Sequence, residues 1–250
     1  MENWLERTEL LMGVEKIEKL KKAHVLIVGL GGVGSFAAEF IARGGVGKMT
    51  IIDGDAFDIT NKNRQLTALD STVGRNKAVV MAERIRDINP AIILNVVEEF
   101  VVPERVWDLL DEYQPDYVMD CIDSVSPKIE WIVACKNKHI KIISHFGAGG
   151  KLDPSRVQVA SLKQTYNCKL AAHLKKRLRK RKVGIKAIRA VFSSELQIKS
   201  SLKLTDGTNF KRSFYGTASY MPALFGLHGA ADVIRYLSEK KDIAKHEEEE

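Results

Sequence analysis

The chain has 250 residues, 28% of them charged and 45% hydrophobic, which is enough to bury one substantial core. No apolar run approaches the length of a membrane span, and residues 1–15 contain acidic side chains where a signal peptide has a basic start and an apolar centre. We therefore expect a cytoplasmic protein without a membrane span. The net charge of +7 favours a polyanionic partner.

Up to residue 150, predicted strands and helices alternate along the chain. Apolar runs of strand length are followed by segments with an apolar residue every three or four positions. In chain order we predict a helical arm over 4–20, a strand over 23–28, a helix over 36–43, a strand over 48–52, a polar irregular segment over 56–72, a helix over 77–88, a strand over 92–97, a helix over 103–110, a strand over 117–119, a helix over 127–136 and a strand over 141–144. This alternation indicates an α/β, Rossmann-like fold with a mostly parallel sheet and helices on both faces.

Beyond residue 150 the alternation weakens. Strands over 157–162 and 188–192 are predicted on either side of a basic helix over 170–182, followed by a flexible polar crossing over 194–212 and an apolar closing helix over 221–237. We interpret this part as a C-terminal extension of mixed strands and helices. The chain then divides into a single domain over 1–250, with an arm at 1–20, a core at 21–150, an elaboration at 151–238 that carries the basic helix, and a charged tail at 239–250.

A glycine-rich turn joins the first predicted strand to the helix that follows it. The glycines of this turn are Gly29, Gly31, Gly32 and Gly34. Positions 29, 31 and 34 fit the G-x-G-x-x-G spacing, which allows a tight turn and a close approach of the backbone to a phosphate. The unpaired N–H groups at the start of the following helix favour an anion. The turn therefore predicts a nucleotide, although a glycine turn without a ligand has the same pattern.

Asp53 and the polar loop after it decide between nucleotides. Asp53 lies about 20 residues after the last glycine, where a Rossmann site binds ribose hydroxyls, so these features alone favour NAD. The loop, however, contains Asp55, Asn63, Arg64 and Lys77. Amides and cations suit a triphosphate chain, whereas hydride transfer needs an apolar cleft around the nicotinamide. Each of these residues taken singly fits an ordinary solvated loop, but their clustering favours ATP.

Two carboxylates, Asp120 and Asp123, follow the fourth predicted strand. Ligands of open α/β sheets bind at this edge, and Mg²⁺ takes one or two carboxylates together with phosphate oxygens and waters. Alternatively, one of the two caps the helix that begins near Pro127. We assign the metal to Asp123 and leave Asp120 open.

Several linked motifs resemble, in order and spacing, those of the E1-like ATP-dependent adenylating enzymes. The motifs are Arg7-Thr8-Glu9, Gly29-Leu30-Gly31-Gly32-Val33-Gly34-Ser35, Asp53-Gly54-Asp55, Asn61-Lys62-Asn63-Arg64-Gln65, Gly74-Arg75-Asn76-Lys77-Ala78, Ile88-Asn89-Pro90 and Asp120-Cys121-Ile122-Asp123-Ser124. Within that superfamily the chain most resembles the tRNA threonylcarbamoyladenosine dehydratase branch, through Ala148-Gly149-Gly150-Lys151-Leu152-Asp153-Pro154, Phe192-Ser193-Ser194-Glu195 and the basic helix. The resemblance covers about residues 5–238.

This resemblance implies an enzyme that uses ATP to adenylate the carboxylate of N6-threonylcarbamoyladenosine in a tRNA anticodon loop. Loss of AMP then drives cyclisation by the carbamoyl group of the modification, so that the net change is a dehydration. The implied roles are adenosine and ribose binding for the turn glycines with Asp53 and Asp55, phosphate contacts for Asn63, Arg64 and Lys77, and Mg²⁺ binding for Asp123. Arg7 matches an arginine that reaches the ATP of the partner subunit in a homodimer.

Seven cations lie within the eight residues 175–182. They are Lys175, Lys176, Arg177, Arg179, Lys180, Arg181 and Lys182. Such a run is typical of a solvated helix face as well as of nucleic-acid binding. With an RNA substrate implied, we expect these cations to bind tRNA phosphates without reading sequence.

The cysteines do not support covalent catalysis. Cys121 is predicted at a buried strand end and Cys135 on an apolar helix, which leaves Cys168, between Asn167 and Lys169, as the exposed thiol. There is no C-x-x-C pair for zinc, and the sequence does not define a sulfur-transfer partner.

Three other functions compete with the dehydratase. The first, in the same superfamily, is adenylation of the C-terminal carboxylate of a ubiquitin-like sulfur-carrier protein. The second is a non-catalytic nucleotide- or RNA-binding module, which the retained arginine, lysine and aspartate set disfavours. The third is an NAD-dependent oxidoreductase, which a comparison of thermal shifts with ATP·Mg and with NAD would distinguish.

Overall fold

The computed structural model describes residues 3–204 and 213–240. The helices are α1 (Glu6–Met12), α2 (Val14–Lys22), α3 (Gly34–Arg43), α4 (Lys77–Ile88), α5 (Arg105–Tyr113), α6 (Val125–Asn137), α7 (Lys169–Lys180) and α8 (Tyr220–Glu239). The strands are β1 (His24–Val28), β2 (Lys48–Ile52), β3 (Ile93–Val97), β4 (Tyr117–Asp120), β5 (Lys141–His145), β6 (Val157–Ser161), β7 (Arg189–Ser193), β8 (Leu202–Leu204) and β9 (Ser213–Tyr215).

The first seven strands form one sheet in the order β3-β2-β1-β4-β5-β7-β6. Neighbouring strands run parallel except for β6, which is antiparallel to β7. β2 and β3 lie in that order on one side of β1, whereas β4 lies on the other side of β1. The strand order therefore reverses between β1 and β4, and their carboxyl ends border the crevice in which open α/β sheets bind ligands.

Apolar cores lie on both faces of this sheet, as the sequence predicts. Val25 and Ile27 of β1 pack in a core with α2, α3, α4 and α8, whereas Leu26 and Val28 pack in a second core with α5, α6 and α7. Successive side chains of a strand point to opposite faces, so an apolar run such as β1 belongs in the middle of a sheet covered on both sides.

α8 fixes the start of α3 through a close helix contact. A Cβ atom on Gly226 of α8 would lie 2.4 Å from the carbonyl oxygen of Val33, so only glycine permits this approach. Pro222, near the start of α8, lies beside the glycine-rich turn, since its Cβ would be 3.0 Å from a Cβ on Gly32. The C-terminal elaboration thus supports the turn directly. None of the described helices is both long enough and apolar enough to cross a membrane.

The prediction of a flexible crossing over residues 194–212 is wrong for its first part. A short 3-10 turn, Lys199–Ser201, leads into β8, which pairs antiparallel with β9 with Leu202 opposite Tyr215. Hydrogen bonds from Ile198 N to Gly150 O (2.8 Å) and from Gly150 N to Gly216 O (2.7 Å) join this hairpin to the segment after β5. Backbone pairing orders a stretch whose composition is mostly polar; residues 205–212 lie outside the described ranges.

Candidate active site

The glycine-rich turn lies at the point where the strand order reverses. Gly29 directly follows β1 and has φ of +84°, a left-handed conformation that favours glycine. A Cβ at this position would also lie 2.9 Å from Cγ2 of Ile122, which follows β4. A Cβ on Gly34 would lie 1.7 Å from the carbonyl oxygen of Gly29. The turn is therefore held tightly against the β4 loop, and larger residues at 29 and 34 would displace it.

The start of α3 and Asp53 offer complementary groups to a nucleotide. No side chain caps the N-terminus of α3. Ser35 N donates to Gly31 O at 3.0 Å, whereas no group in the described ranges accepts from Gly34 N or Phe36 N, so these two N–H groups are available to an anion. Asp53, at the end of β2, accepts hydrogen bonds from Leu30 N at 2.6 Å and from Asp55 N at 2.9 Å. Burial raises the pKa of this carboxyl group, and these hydrogen bonds and the charge of Lys77 oppose the increase. Each carboxylate oxygen keeps a further lone pair, so Asp53 is still able to accept from ribose hydroxyls.

Backbone pairing of two loop segments brings Lys77 to Asp55. Phe57 N donates to Arg75 O at 3.0 Å, and Lys77 N donates to Asp55 O at 2.9 Å. Asn76 caps α4 by accepting from Ala78 N at 2.8 Å, so the helix begins at Lys77. The Lys77 side chain is only 6% exposed and forms an ion pair with Asp55, whose side chain is half exposed. A nearly buried ammonium group with one exposed carboxylate partner is well placed to meet an incoming anion.

The segment that carries Asn63 and Arg64 packs directly over the glycine-rich turn. A Cβ on Gly32 would lie 3.2 Å from Arg64 O, and Leu66 N donates to Ser35 Oγ at 3.3 Å. Arg64 is half-buried and donates to Thr60 O at 3.0 Å and to Asn63 Oδ1 at 2.9 Å. Burial lowers the pKa of Arg64 and the nearby Asp123 opposes this, but a guanidinium group stays charged at neutral pH.

Asp120 has a structural role. It is fully buried and pairs with Lys128 of α6, whose Nζ lies 2.6 Å from Asp120 Oδ2, 2.9 Å from His145 O and 3.1 Å from Ser144 Oγ. Ser144 Oγ also donates to Asp120 Oδ2 at 2.6 Å. The three protons of the ammonium group are thereby satisfied, and the ends of β4 and β5 are joined to α6. The alternative prediction, that one of the two aspartates caps α6, is wrong, because the helix begins after Ser124 with no side-chain cap.

Substitution of Lys128 by alanine is expected to destabilise the protein by about 3–5 kcal/mol, because it leaves the Asp120 carboxylate buried without its partner. Lys136→Ala, an exposed position on the same helix, should change the free energy of unfolding by no more than about 0.5 kcal/mol. Urea unfolding of both variants measures the difference. Equal stabilities would contradict the structural role of the buried pair.

Asp123, in contrast, is exposed at the carboxyl end of β4 and lies near Arg64. Among residues 3–204 and 213–240, no group of three or more histidine, cysteine, aspartate or glutamate residues is arranged to hold a metal ion. A single accessible carboxylate fits the chemistry of Mg²⁺, which uses one or two protein carboxylates and takes its other oxygens from phosphates and waters.

Arg7 and the basic helix lie outside this cluster. Arg7 is exposed on α1 and has no hydrogen bond or ion pair with another residue in the described ranges. On α7, Leu174 and Leu178 are buried in the core, so the basic residues occupy the outer face. Contacts within the protein involve three of these cations: Lys175 donates to Thr165 O (2.6 Å), Arg177 to Ser126 Oγ (3.4 Å) and Arg181 to Glu130 Oε2 (2.6 Å). Within residues 3–204 and 213–240, the side chains of the exposed cations Lys176, Arg179, Lys180 and Lys182 make no such contact.

The expectation that Cys168 is exposed is wrong, because only 6% of the residue is accessible. Cys168 immediately precedes α7 and continues its apolar face back from Ala171 and Leu174, so polar neighbours in sequence did not indicate its environment. Cys121 and Cys135 follow expectation, since burial strongly raises the pKa of both thiols. Cys121 and Cys135 are therefore poor nucleophiles, and burial restricts access to Cys168.

Sequence reasoning missed two polar side chains at this site. The burial of Lys128 could have been predicted, because this lysine lies on an otherwise apolar face of α6, a few residues after two aspartates that could pair with it. Gln65 belongs to the asparagine-arginine-glutamine motif, but nothing in the sequence indicates that its side chain is buried.

The fold, with a glycine-rich turn at the point where the strand order reverses, is that of a nucleotide-binding α/β protein. The model of the ThiF family matches residues 5–248. The chain belongs to the ThiF family, which confirms the resemblance to E1-like enzymes.

The most similar relatives include two bacterial proteins named tRNA threonylcarbamoyladenosine dehydratase. The protein from Escherichia coli (strain K12) is 38% identical over 259 residues, covering 95% of this chain and 95% of the relative. The protein from Bacillus subtilis (strain 168) is 42% identical over 192 residues, covering 77% and 75%. The crystal structure of the E. coli dehydratase in complex with ATP has a TM-score of 0.83 and 38% identity over 93% of both chains, and its AMP complex has the same TM-score.

Proposed function

We propose that the protein is an ATP-dependent tRNA threonylcarbamoyladenosine dehydratase. One observation carries the proposal: Arg64 packs on the glycine-rich turn and lies near the exposed carboxylate of Asp123, while Asp53 accepts a hydrogen bond from the turn at Leu30 N and feels the charge of Lys77. Full-length relatives with this name, and their complexes with ATP and AMP, support it. In this proposal residues 1–250 act as one ATP-binding domain, and the reaction takes place in the cytoplasm, where tRNA and ATP are available.

The chemistry explains why the site needs several cations. A carboxylate oxygen of the modified adenosine attacks the α-phosphorus of ATP, the bond to the β-phosphate breaks, and pyrophosphate leaves. The carbamoyl group of the same modification then attacks the activated acyl carbon, and AMP leaves, so that one water is lost overall. Attack of one anion on another is slow unless the developing charge is neutralised.

Different residues of this chain bind the phosphates, the nucleoside and the metal ion in this proposal. Lys77, Asn63 and Arg64 contact the phosphates, and the turn glycines, Asp53 and Asp55 hold the nucleoside. Asp123 would hold Mg²⁺, which would supply positive charge to neutralise the phosphates. Lys77 is paired with Asp55 in this structure, and a bound phosphate would compete with Asp55 for the ammonium group.

The outer face of α7 is the proposed tRNA surface. Its contact from Arg177 to Ser126 places the basic helix beside the first turn of α6, which directly follows the Asp123 loop. A tRNA held by this face would therefore reach the edge of the ATP site. Arg7 completes the site from a second subunit in this proposal, as the resemblance to E1-like enzymes implies; its side chain is exposed on α1.

We expect charge reversal of Lys176, Arg179, Lys180 and Lys182 to weaken tRNA binding by about 10²-fold or more at low salt and to flatten its salt dependence. ATP binding should be unchanged. As a matched control, reversal of two exposed lysines on α2, Lys21 and Lys22, should have little effect on tRNA binding. Filter-binding titrations across salt concentrations test this, and equal losses in both variants would contradict a localised tRNA surface.

AMP release distinguishes this function from adenylation of a sulfur-carrier protein. The protein should form AMP from ATP when N6-threonylcarbamoyladenosine-containing tRNA is present. AMP formation only with a small protein that ends in Gly-Gly would support activation of a sulfur-carrier protein. ATP binding without AMP formation in either case would leave a non-catalytic nucleotide-binding module.

A further inference from the structure

Gln65 is a buried polar residue whose side chain has no hydrogen-bond partner among the described residues. Only 7% of the residue is accessible. Its Oε1 atom is buried without a hydrogen bond. A buried acceptor without a donor costs free energy, whereas the two N–H groups of Nε2 remain able to donate.

The carboxamide faces the glycine-rich turn. Gln65 Nε2 lies 3.7 Å from the position of a Cβ on Gly31, and it is the nearest heavy atom to that position. Gly31 O in turn accepts from Ser35 Oγ at 2.7 Å in the first turn of α3. Nε2 therefore lies beside the glycine-rich turn, three residues before the start of α3.

Hydrogen bonds fix the main chain on both sides of Gln65. Gln65 N donates to Asn61 O at 3.0 Å, Ala68 N donates to Gln65 O at 3.2 Å, and Leu66 N donates to Ser35 Oγ at 3.3 Å. Because the side chain is also buried, its position beside the turn is restricted before a ligand binds.

We propose that Gln65 is a further nucleotide-binding residue, which donates a hydrogen bond from Nε2 to a phosphate oxygen of the ATP bound at the glycine-rich turn. This inference rests on the proposed function, because it assumes that ATP occupies the turn. A primary amide presents two N–H donors, and phosphate oxygens are acceptors only, so the two groups are complementary.

The proposal predicts opposite effects on the free and the bound protein. Gln65→Met has a similar length and removes the unpaired polar atoms, so the melting temperature without ligand should stay equal or rise. Its affinity for ATP should fall roughly 10- to 100-fold, because a hydrogen bond to a charged group is lost. Its affinity for adenosine should stay within about twofold, since adenosine has no phosphate. A residue that only packs the turn would lower both affinities together.

Thr67→Val is the matched control. Thr67 belongs to the same segment, is similarly buried, and has an Oγ1 atom without a hydrogen-bond partner among the described residues, but its atoms are not among those nearest to the turn glycines. Valine has nearly the same shape, so the free protein should gain or keep stability while ATP affinity stays unchanged. Gln65→Glu serves if the methionine variant does not fold, because the same shape with a negative charge should reduce ATP affinity more than adenosine affinity.

Titration calorimetry with ATP and with adenosine measures these affinities. A selective loss for ATP in the Gln65 variants, with Thr67→Val unaffected, supports the proposal. Wild-type affinity for ATP in Gln65→Met, while the unaltered protein binds ATP, overturns this inference alone. Absence of ATP binding by the unaltered protein overturns the proposed function as well.

Discussion

Lys77→Ala is expected to reduce AMP formation by several powers of ten while the protein stays folded. Lys77 is the most deeply buried cation of the proposed phosphate site, and its loss removes positive charge from the place where charge develops on the phosphate oxygens. It also leaves Asp55 without its partner, so the site becomes more negative. Radiolabelled pyrophosphate release with modified tRNA measures the effect.

Two further variants isolate the role of the Lys77 charge. Lys77→Met keeps the buried aliphatic part of the side chain and should be as inactive as the alanine variant, with the melting temperature of the wild type or a higher one. Lys62→Ala removes an exposed lysine of the same loop, which pairs only with the exposed Asp70, and should retain activity. Near-normal pyrophosphate release by either Lys77 variant would remove this residue from the mechanism.

Arg7→Ala and Asp123→Ala should each reduce activity by about 10³-fold or more, yet a mixture of the two chains should recover activity. If Arg7 acts on the ATP of the partner subunit, a mixed dimer contains one site with both substitutions and one intact site. Equal co-expression makes about half of all dimers mixed, so about a quarter of the sites should be active. Turnover of co-purified, differently tagged chains measures the recovery.

A second mixture provides the control for this result. Arg64→Ala combined with Asp123→Ala should not recover, because Arg64 and Asp123 lie close together in one chain and every site of a mixed dimer would lack one of them. No recovery in the Arg7 mixture, despite formation of mixed dimers, would place Arg7 outside the partner's site. Recovery in both mixtures would show that Arg64 and Asp123 need not belong to the same chain, which would contradict the proposed active site.

Local patterns predicted the regular elements well. The prediction for α4, 77–88, is confirmed at both ends, because Asn76 caps its start and Pro90 follows its end. The glycine spacing predicted the turn after β1, and the structure shows why each position matters, since Gly34 approaches Gly29 O too closely for any side chain. Such features depend on neighbours in sequence, where propensity and capping act.

Features that depend on tertiary packing were not predictable in the same way. Polar residue types indicate solvent exposure, so neither the burial of Gln65 nor the buried Lys128–Asp120 pair followed from composition. The position of β8 depends on pairing with β9 and on hydrogen bonds to the segment after β5. Cys168 lies between these two cases. Its burial was predictable from sequence, because it precedes Ala171 and Leu174 at a spacing of three residues, which is typical of one helix face.

The central claim is the reaction itself, and nucleoside mass spectrometry tests it most directly. tRNA that contains N6-threonylcarbamoyladenosine is incubated with the protein, ATP and Mg²⁺, then digested to nucleosides under conditions that preserve a cyclised product. We predict that the modified adenosine loses the mass of one water, in amounts that match the AMP formed, and only when ATP is present. An unchanged nucleoside, with a protein shown to bind both ATP and this tRNA, would contradict the account.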